Sequence, residues 1–392
     1  MSTKKTKVAI LGSTGSIGKT ALNIICKKKY LFDIKLLVCN NNYRAIFDQI
    51  NKFSPKYVYV KSEIIRKKLK LKKFKNTTII NDINTFLKKY SKRLKLDKVI
   101  LGISSFHGLS YAFDFLQVTK ELLIANKESL ICGGGVLLKK AKQYNCKISS
   151  IDSEHYCIAQ TILSEDIKKI DTIYITASGG PFLNKPLKFY KKSSIKNVIK
   201  HPKWNMGKKI SVDSATLVNK IFEMIEAHIL FQIPASQIKI KIHPESLIHS
   251  SVVYKNGLVK MIMHNTSMEI PIRNSLLNKD SHNQYIQTKN TFKVKKNFSL
   301  NFSEHELSQF KILKTGLNIV KLGHTAWILF NVINDLLVKK FLNKKIYFYE
   351  IVDNLIKFFQ KKTTLSFCKF KIKNYNDINF VINYAVSEFN KL

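Results

Sequence analysis

The segment Val8-Ala9-Ile10-Leu11-Gly12-Ser13-Thr14-Gly15-Ser16-Ile17-Gly18 constrains this chain more than any other. Four apolar residues in a row read as a buried strand, and the glycines turn it into the helical run Lys19-Thr20-Ala21-Leu22. Small residues let a backbone approach a pyrophosphate, and a helix N-terminus offers it free N–H groups and partial positive charge. The spacing is GxxGxxG rather than GxGxxG, so an ordinary strand-to-helix turn competes with a dinucleotide site. Placement after the first strand favours the nucleotide. Gly18-Lys19-Thr20 ends like a P-loop, but the glycine that motif needs five residues upstream is Ser13.

Further short apolar runs follow at residues 34–39, 57–60, 78–80, 98–102 and 121–125, with amphipathic stretches between them. That alternation predicts an α/β fold, a parallel sheet with crossover helices. From about residue 147 the texture changes. Strands at 172–176 and 250–254 are joined by longer loops that hold much of the Gly, Pro and His. A polar stretch at 281–303 reads as a linker. Beyond it, Ile312, Leu317, Leu336, Ile351, Leu355 and Phe359 lie in runs with apolar residues three or four apart. The expectation is a Rossmann-like parallel sheet domain over 1–150, an α+β catalytic domain over 151–280, and a helical domain over 304–392.

Candidate chemistry begins at Ile151-Asp152-Ser153-Glu154-His155. Carboxylates two apart on an extended segment point the same way and need a cation or a shared proton; a helix start capped by Asp152 or Ser153 is the alternative. A third carboxylate lies in Ser211–Glu223, which reads as one capped helix. Leu217, Ile221, Met224 and His228 form its buried stripe, and Thr216, Asn219, Lys220 and Glu223 share another face. Such faces are usually solvated. This one carries an amide, an ammonium and a carboxylate near Ser214, which suits a phosphate and a hard cation side by side. Thr176-Ala177-Ser178-Gly179-Gly180-Pro181 offers N–H and hydroxyl donors to an oxyanion. His201-Pro202-Lys203-Trp204-Asn205-Met206-Gly207 reads as a lid, or as a loop packed on the core.

Composition excludes other classes. With 45% hydrophobic and 24% charged residues over 392 positions, the chain is not disordered. Its 67 basic and 26 acidic residues leave +41, which raises nucleic-acid binding. Only Arg44, Arg66, Arg93 and Arg273 are arginines, and the lysines are spread among Asn, Ile, Phe and Tyr along the whole chain. Base and phosphate readers favour arginine's planar fork, so the charge reads as surface drift and no nucleic-acid partner is expected. Six cysteines without regular spacing read as reduced thiols in a cytoplasmic protein. A strand starting at Lys7 leaves no room for a signal peptide, and no apolar run approaches the ~20 residues of a membrane helix.

Taken together, Gly12–Gly18, Ala125-Asn126-Lys127-Glu128-Ser129, Asp152-Ser153-Glu154-His155, Ser178-Gly179-Gly180-Pro181-Phe182 and the run from His201-Pro202 to Glu223 resemble the 1-deoxy-D-xylulose 5-phosphate reductoisomerases. The resemblance covers residues 7 to about 272. It implies that Thr14, Gly15, Ser16 and Ile17 hold the pyrophosphate of NADPH, with Asn126, Glu128 and Gly207 touching the rest. It implies Asp152, Glu154 and Glu223 as ligands of Mg²⁺ or Mn²⁺. Ser178, Ser214, Asn219 and Lys220 would grip the phosphate of a sugar substrate. Lys127, Ser153 and His201 would position its carbon chain beneath Trp204 and Met206, with Lys127, Glu154 and His201 as the catalytic set. The implied reaction is rearrangement by retro-aldol cleavage and re-addition, then hydride reduction to 2-C-methyl-D-erythritol 4-phosphate, in a homodimer of the non-mevalonate isoprenoid pathway. The rivals are another NAD(P)-dependent dehydrogenase of a phosphorylated substrate and a lysine-rich nucleic-acid binder.

Departures from the family pattern are local. The Gly-Lys-Asn-like turn after the second strand reads Asn40-Asn41-Asn42. A glycine is replaced near Ser105, Gly-x-Pro-Asp-Met reads His264-Asn265-Thr266-Ser267-Met268, and Ala-Ala-Asn-Glu reads Val332-Ile333-Asn334-Asp335. No acid follows Cys39 until Asp48, so Asn40, Asn41, Asn42 and Arg44 are expected to receive the 2′-phosphate and favour NADPH over NADH.

Overall fold

A computed structural model of the chain describes residues 4–90, 94–183, 185, 190, 193–204, 206–277, 298–304 and 310–391. Most of the expected linker, 281–297, lies outside them, as does Asn205. The chain divides into two compact units: 1–130 with 137–152 and 268–283, and 131–136 with 153–267 and 284–392.

The first unit is built on seven strands: β1 (Thr6–Leu11), β2 (Phe32–Cys39), β3 (Tyr57–Val60), β4 (Thr78–Ile80), β5 (Leu96–Leu101), β6 (Thr119–Ile124) and β7 (Lys147–Ser150). They pair in the order β4-β3-β2-β1-β5-β6-β7, every pair parallel. Central strands of such a sheet are covered on both faces, which is why Val8–Leu11 and Val99–Leu101 are unbroken apolar runs with no solvent exposure. Helices α1 (Ser16–Lys27), α2 (Tyr43–Phe53), α3 (Glu63–Lys70), α4 (Ile83–Tyr90), α5 (Leu109–Phe115) and α6 (Lys127–Gln143) follow the first six strands in turn. The late helix α11 (Glu269–Leu276) packs on α1, where Lys27 pairs with Glu269 at 2.9 Å. From β1 the chain builds outward to β4, then returns to place β5 on the other side of β1. The crevice where the order reverses lies at the C-terminal ends of β1 and β5.

The second unit carries a four-stranded sheet ordered β11-β10-β8-β9, from β8 (Ile170–Ala177), β9 (Ile238–Ile242), β10 (Ile248–Tyr254) and β11 (Val259–Met263). β10 runs antiparallel to β8 and β11, and β8 is parallel to β9. Helices α7 (Ser153–Thr161), α8 (Ile195–Ile199), α9 (Lys208–Thr216) and α10 (Val218–Phe231) belong to it. So do α12 (Lys311–Leu322), α13 (His324–Leu342), α14 (Phe348–Gln360), α15 (Lys362–Phe367) and α16 (Tyr375–Phe389). The helical reading of the last ninety residues therefore holds.

One expectation is corrected. Ser211–Glu223 is not a single helix: Leu217 adopts a left-handed conformation (φ 63°) and separates α9 from α10. The polar face departs from the usual solvated case, as its residue types had suggested. Every residue from Val218 to Ala227 is buried, because α10 packs on α12 as well as on the sheet. A buried stripe presumes an opposite wet face, and α10 has none over this stretch.

Candidate active site

The glycine loop sits at the C-terminal end of β1. The N–H groups of Gly12 and Ser13 both donate to Val38 O of β2, at 2.8 and 2.9 Å, so the turn is anchored to the neighbouring strand. Gly12 has φ +87°, and a Cβ there would lie 2.6 Å from Gly102 O at the end of β5. A Cβ on Gly18 would come within 2.4 Å of Gly12 O. Neither position tolerates a side chain. Ile17 packs against Gly102, Gly15 caps α1 without a side-chain hydrogen bond, and Gly15 and Ser16 are exposed. Ser13 Oγ is buried without a hydrogen-bond partner, while Ser13 O accepts from the buried Gln49 Nε2 at 2.9 Å. A helix start without a side-chain cap, exposed backbone at Gly15 and Ser16, and an orphaned hydroxyl at Ser13 together fit a pyrophosphate.

The other nucleotide-side residues have structural duties. Asn42 caps α2, its Oδ1 accepting from Ala45 N at 3.0 Å, whereas Asn40, Asn41 and Arg44 are exposed. Asn126 caps α6 by accepting from Ser129 N at 2.7 Å and donates to Ser105 O at 2.6 Å and to Ile103 O. It ties the ends of β5 and β6 together. Ser105 itself has φ 66° and ψ −179°, a backbone conformation suited to glycine. Glu128 is buried in the first turn of α6.

Lys127 opens α6, 4% exposed, and its Nζ pairs with Asp152 Oδ2 at 2.8 Å. Next to Asp152, Ser153 starts α7 and donates its hydroxyl to Glu154 Oε2 at 2.6 Å. On α10, Asn219 Nδ2 donates to Glu223 Oε1 at 2.5 Å, and Lys220 Nζ bonds Glu223 Oε2 at 2.6 Å and Glu154 Oε1. Asp152, Glu154 and Glu223 bring one oxygen each within 4.8 Å of one another. Burial works against the Lys220 charge, but Glu154 and Glu223 more than offset it and hold its pKa above the ordinary lysine value. An ammonium thus stands among carboxylates of the kind that bind hard cations; the oxygen donors fit Mg²⁺ or Mn²⁺.

The two loops expected around the substrate meet. His201 Nε2 lies 3.0 Å from Ser178 Oγ, and its Nδ1 accepts from Lys203 N and Trp204 N at 3.1 and 2.9 Å. Burial, helped by the Lys220 charge, pushes the His201 pKa down to about 4. The ring is therefore neutral with its proton on Nε2, facing Ser178. Ser178 Oγ also accepts from Gly180 N at 3.1 Å. Gly180 (φ +66°) lies against the Ser214 backbone, where a Cβ would sit 3.3 Å from Ser214 O. Trp204 meets the ring of His249 edge-on at 5.6 Å, and His249 packs on His264 at 4.2 Å. Gly207 caps α9.

Three models of 1-deoxy-D-xylulose 5-phosphate reductoisomerase regions match in chain order: the reductoisomerase domain over 8–134, and two C-terminal domains over 148–231 and 263–385. A protein of that name from Pelagibacter ubique (strain HTCC1062) is 40% identical over 387 residues, 97% of each chain. The chain belongs to the 1-deoxy-D-xylulose 5-phosphate reductoisomerase family. A crystal structure of DOX-P reductoisomerase in complex with NADPH, fosmidomycin and magnesium superposes with TM-score 0.89 at 30% identity, covering 98% of this chain and 97% of that one. The enzyme from Zymomonas mobilis in complex with NADPH gives 0.83 at 26% identity, covering 98% of both.

Several residues that contact the candidate site residues carried no role in the sequence reading. His155 and Glu226 are fully buried: His155 Nε2 contacts Glu223 O at 2.9 Å and Nδ1 lies 3.4 Å from Glu226 Oε2, binding α7 to α10. The only hint was Glu226 three residues after Glu223. Gln49, His249 and His264 carried no local signal at all.

Proposed function

We propose that the chain converts 1-deoxy-D-xylulose 5-phosphate to 2-C-methyl-D-erythritol 4-phosphate with NADPH and Mg²⁺ or Mn²⁺. The observation that supports this best is the meeting of Asp152, Glu154, Glu223 and Lys220, in a chain of this family. When bound, the cation polarises the substrate carbonyl and NADPH supplies the hydride.

The chain's own residues then divide the work. Thr14, Gly15, Ser16 and Ile17 receive the pyrophosphate, and Asn126, Glu128 and Gly207 border the rest of the cofactor. Ser178 is primed to donate: its oxygen already accepts from Gly180 N and faces the His201 Nε2 proton, so its own hydrogen is left for a phosphate oxygen. Ser214, Asn219 and Lys220 would complete that grip, with Glu154 and Glu223, now paired with the Lys220 ammonium, available to hold the cation. Lys127 and Ser153 orient the carbon chain. Binding energy at the phosphate, remote from the reacting atoms, serves orientation and closure of the Trp204 loop. In this reading 1–150 binds cofactor, 151–280 binds metal and substrate, and 304–392 supports them.

Two coarser points accompany it. Exposed Leu258, Val259 and Met261 at the edge strand β11 support pairing with a second copy, which light scattering would test. The six cysteines form no disulfide with one another, which suits a reducing cytoplasm, and among the described residues no helix is long and apolar enough to cross a membrane.

NADPH absorbance tests the reading directly. It should fall only when 1-deoxy-D-xylulose 5-phosphate and Mg²⁺ are both present. Oxidation with some other phosphorylated substrate, and none with this one, would favour the rival dehydrogenase. Selectivity for NADPH over NADH should drop about tenfold in Arg44→Ala if that exposed guanidinium meets the 2′-phosphate.

A further inference from the structure

Helix α13 runs through the core of the second unit with Ile328, Leu329, Phe330, Val332 and Ile333 all fully buried, and the polar Asn334 beside them is equally buried. An amide placed among such neighbours needs a partner. Asn334 Nδ2 donates to Asp213 Oδ1 at 2.8 Å. Asp213 is itself 2% exposed, and its other oxygen pairs with Lys209 Nζ, one turn back on α9, at 2.8 Å. Neither Asn334 nor Asp213 belongs to the ligand set assigned above.

Their position gives them a role. Asp213 immediately precedes Ser214 in the last turn of α9. That turn is closed by Thr216, whose Oγ1 reaches Val212 O and Asp213 O at 3.2 and 3.1 Å, just before the left-handed break at Leu217. The Ser214 backbone rests against Gly180, whose N–H holds Ser178 Oγ. The spacing between the two serines therefore depends on where this turn is held, and α13 holds it through an amide–carboxylate bond.

We propose that Asn334 is a positioning residue for the phosphate grip: by holding Asp213 it keeps the last turn of α9, and with it Ser214, in register with Ser178. This rests on the reading that Ser178 and Ser214 bind the substrate phosphate. A neutral donor is required at the position. An apolar residue leaves Asp213 without that donor, and an acid sets two buried carboxylates against each other.

Steady-state kinetics with Mg²⁺, NADPH and 1-deoxy-D-xylulose 5-phosphate provide the test. Asn334→Leu should raise KM for the sugar phosphate about tenfold, while kcat and KM for NADPH stay within about threefold, the loss expected for one hydrogen bond to a charged group. Asn334→Asp should raise it further. Combining Asn334→Asp with Asp213→Asn re-forms the pair with donor and acceptor exchanged, although Lys209 then faces an amide, and should bring KM at least about threefold below that of Asn334→Asp alone. That recovery is also readable should the single variants fold poorly. An unchanged KM in folded Asn334→Leu, or an exchange no better than Asn334→Asp alone, would overturn the proposal. Ser214→Ala separates the two levels. If it raises KM while Asn334→Leu does not, the positioning role fails alone; if it leaves KM unchanged, the phosphate reading falls and this proposal with it.

Discussion

The glycine loop of the first unit and the carboxylate–lysine cluster of the second are built in opposite ways. Gly12, Gly15 and Gly18 meet partners within a few residues, or on strands adjacent to β1, and their constraint is steric. Lys220 and Glu154 are 66 residues apart, yet they form a buried ion pair whose existence depends on α7 and α10 packing together. A steric site tolerates no added atom. An electrostatic site tolerates no lost charge, because its surviving partners stay buried with an uncompensated charge.

The largest effect should follow from removing a charge. Glu223→Gln keeps shape and hydrogen-bonding capacity but leaves Lys220 one carboxylate fewer; kcat/KM should fall about a hundredfold or more, with weakened metal dependence. Turnover near wild type at ordinary Mg²⁺ would remove Glu223 from the metal set. Next comes an added atom. Gly18→Ala places a methyl within 2.4 Å of Gly12 O, so denaturant unfolding should show a loss of about 1–3 kcal/mol together with a raised KM for NADPH. A variant with unaltered stability would mean that the loop can move and that the contrast with the rigid steric site is wrong.

A gain is expected where the loop region breaks its own rule. Ser105 occupies glycine's part of conformational space, so Ser105→Gly should stabilise the chain by about 1 kcal/mol in the same assay. A loss would show that the buried Ser105 hydroxyl outweighs the backbone strain. A further effect concerns pH. The His201 imidazole binds a proton near pH 6.5 when unfolded but only near pH 4 when folded. Between those values the unfolded state holds more protons, so stability should fall as pH drops from about 6.5 to 4. His201→Gln should flatten that slope in thermal melts at successive pH values. An identical slope would mean that His201 is protonated in the folded protein.

The parallel sheet was legible because its strands are buried on both faces, so apolar runs such as Ile34–Cys39 need no context to be recognised; β1 to β6 lie where those runs are. The three carboxylates were legible as neighbours in a pattern. The break at Leu217 was not, since nothing in Ala215-Thr216-Leu217-Val218 opposes a continuous helix. Leu217 is left-handed in the folded chain, and tertiary packing buries α10 from Val218 to Ala227, so that polar face lies in the interior.

What the sequence alone determined, then, is whatever depends on covalent neighbours: which residues can be strands, where only glycine fits, and that a glycine turn carries the first strand into a helix. Tertiary structure decided which charges share a partner, that Asn126 reaches back to Ile103 and Ser105, that His155 and Glu226 brace Glu223, and that Asn334 reaches Asp213 across 121 residues. The reason is physical. Steric and conformational limits act over a few bonds, whereas buried charge and amide pairing acts through space, and its partners exist only once the chain has folded.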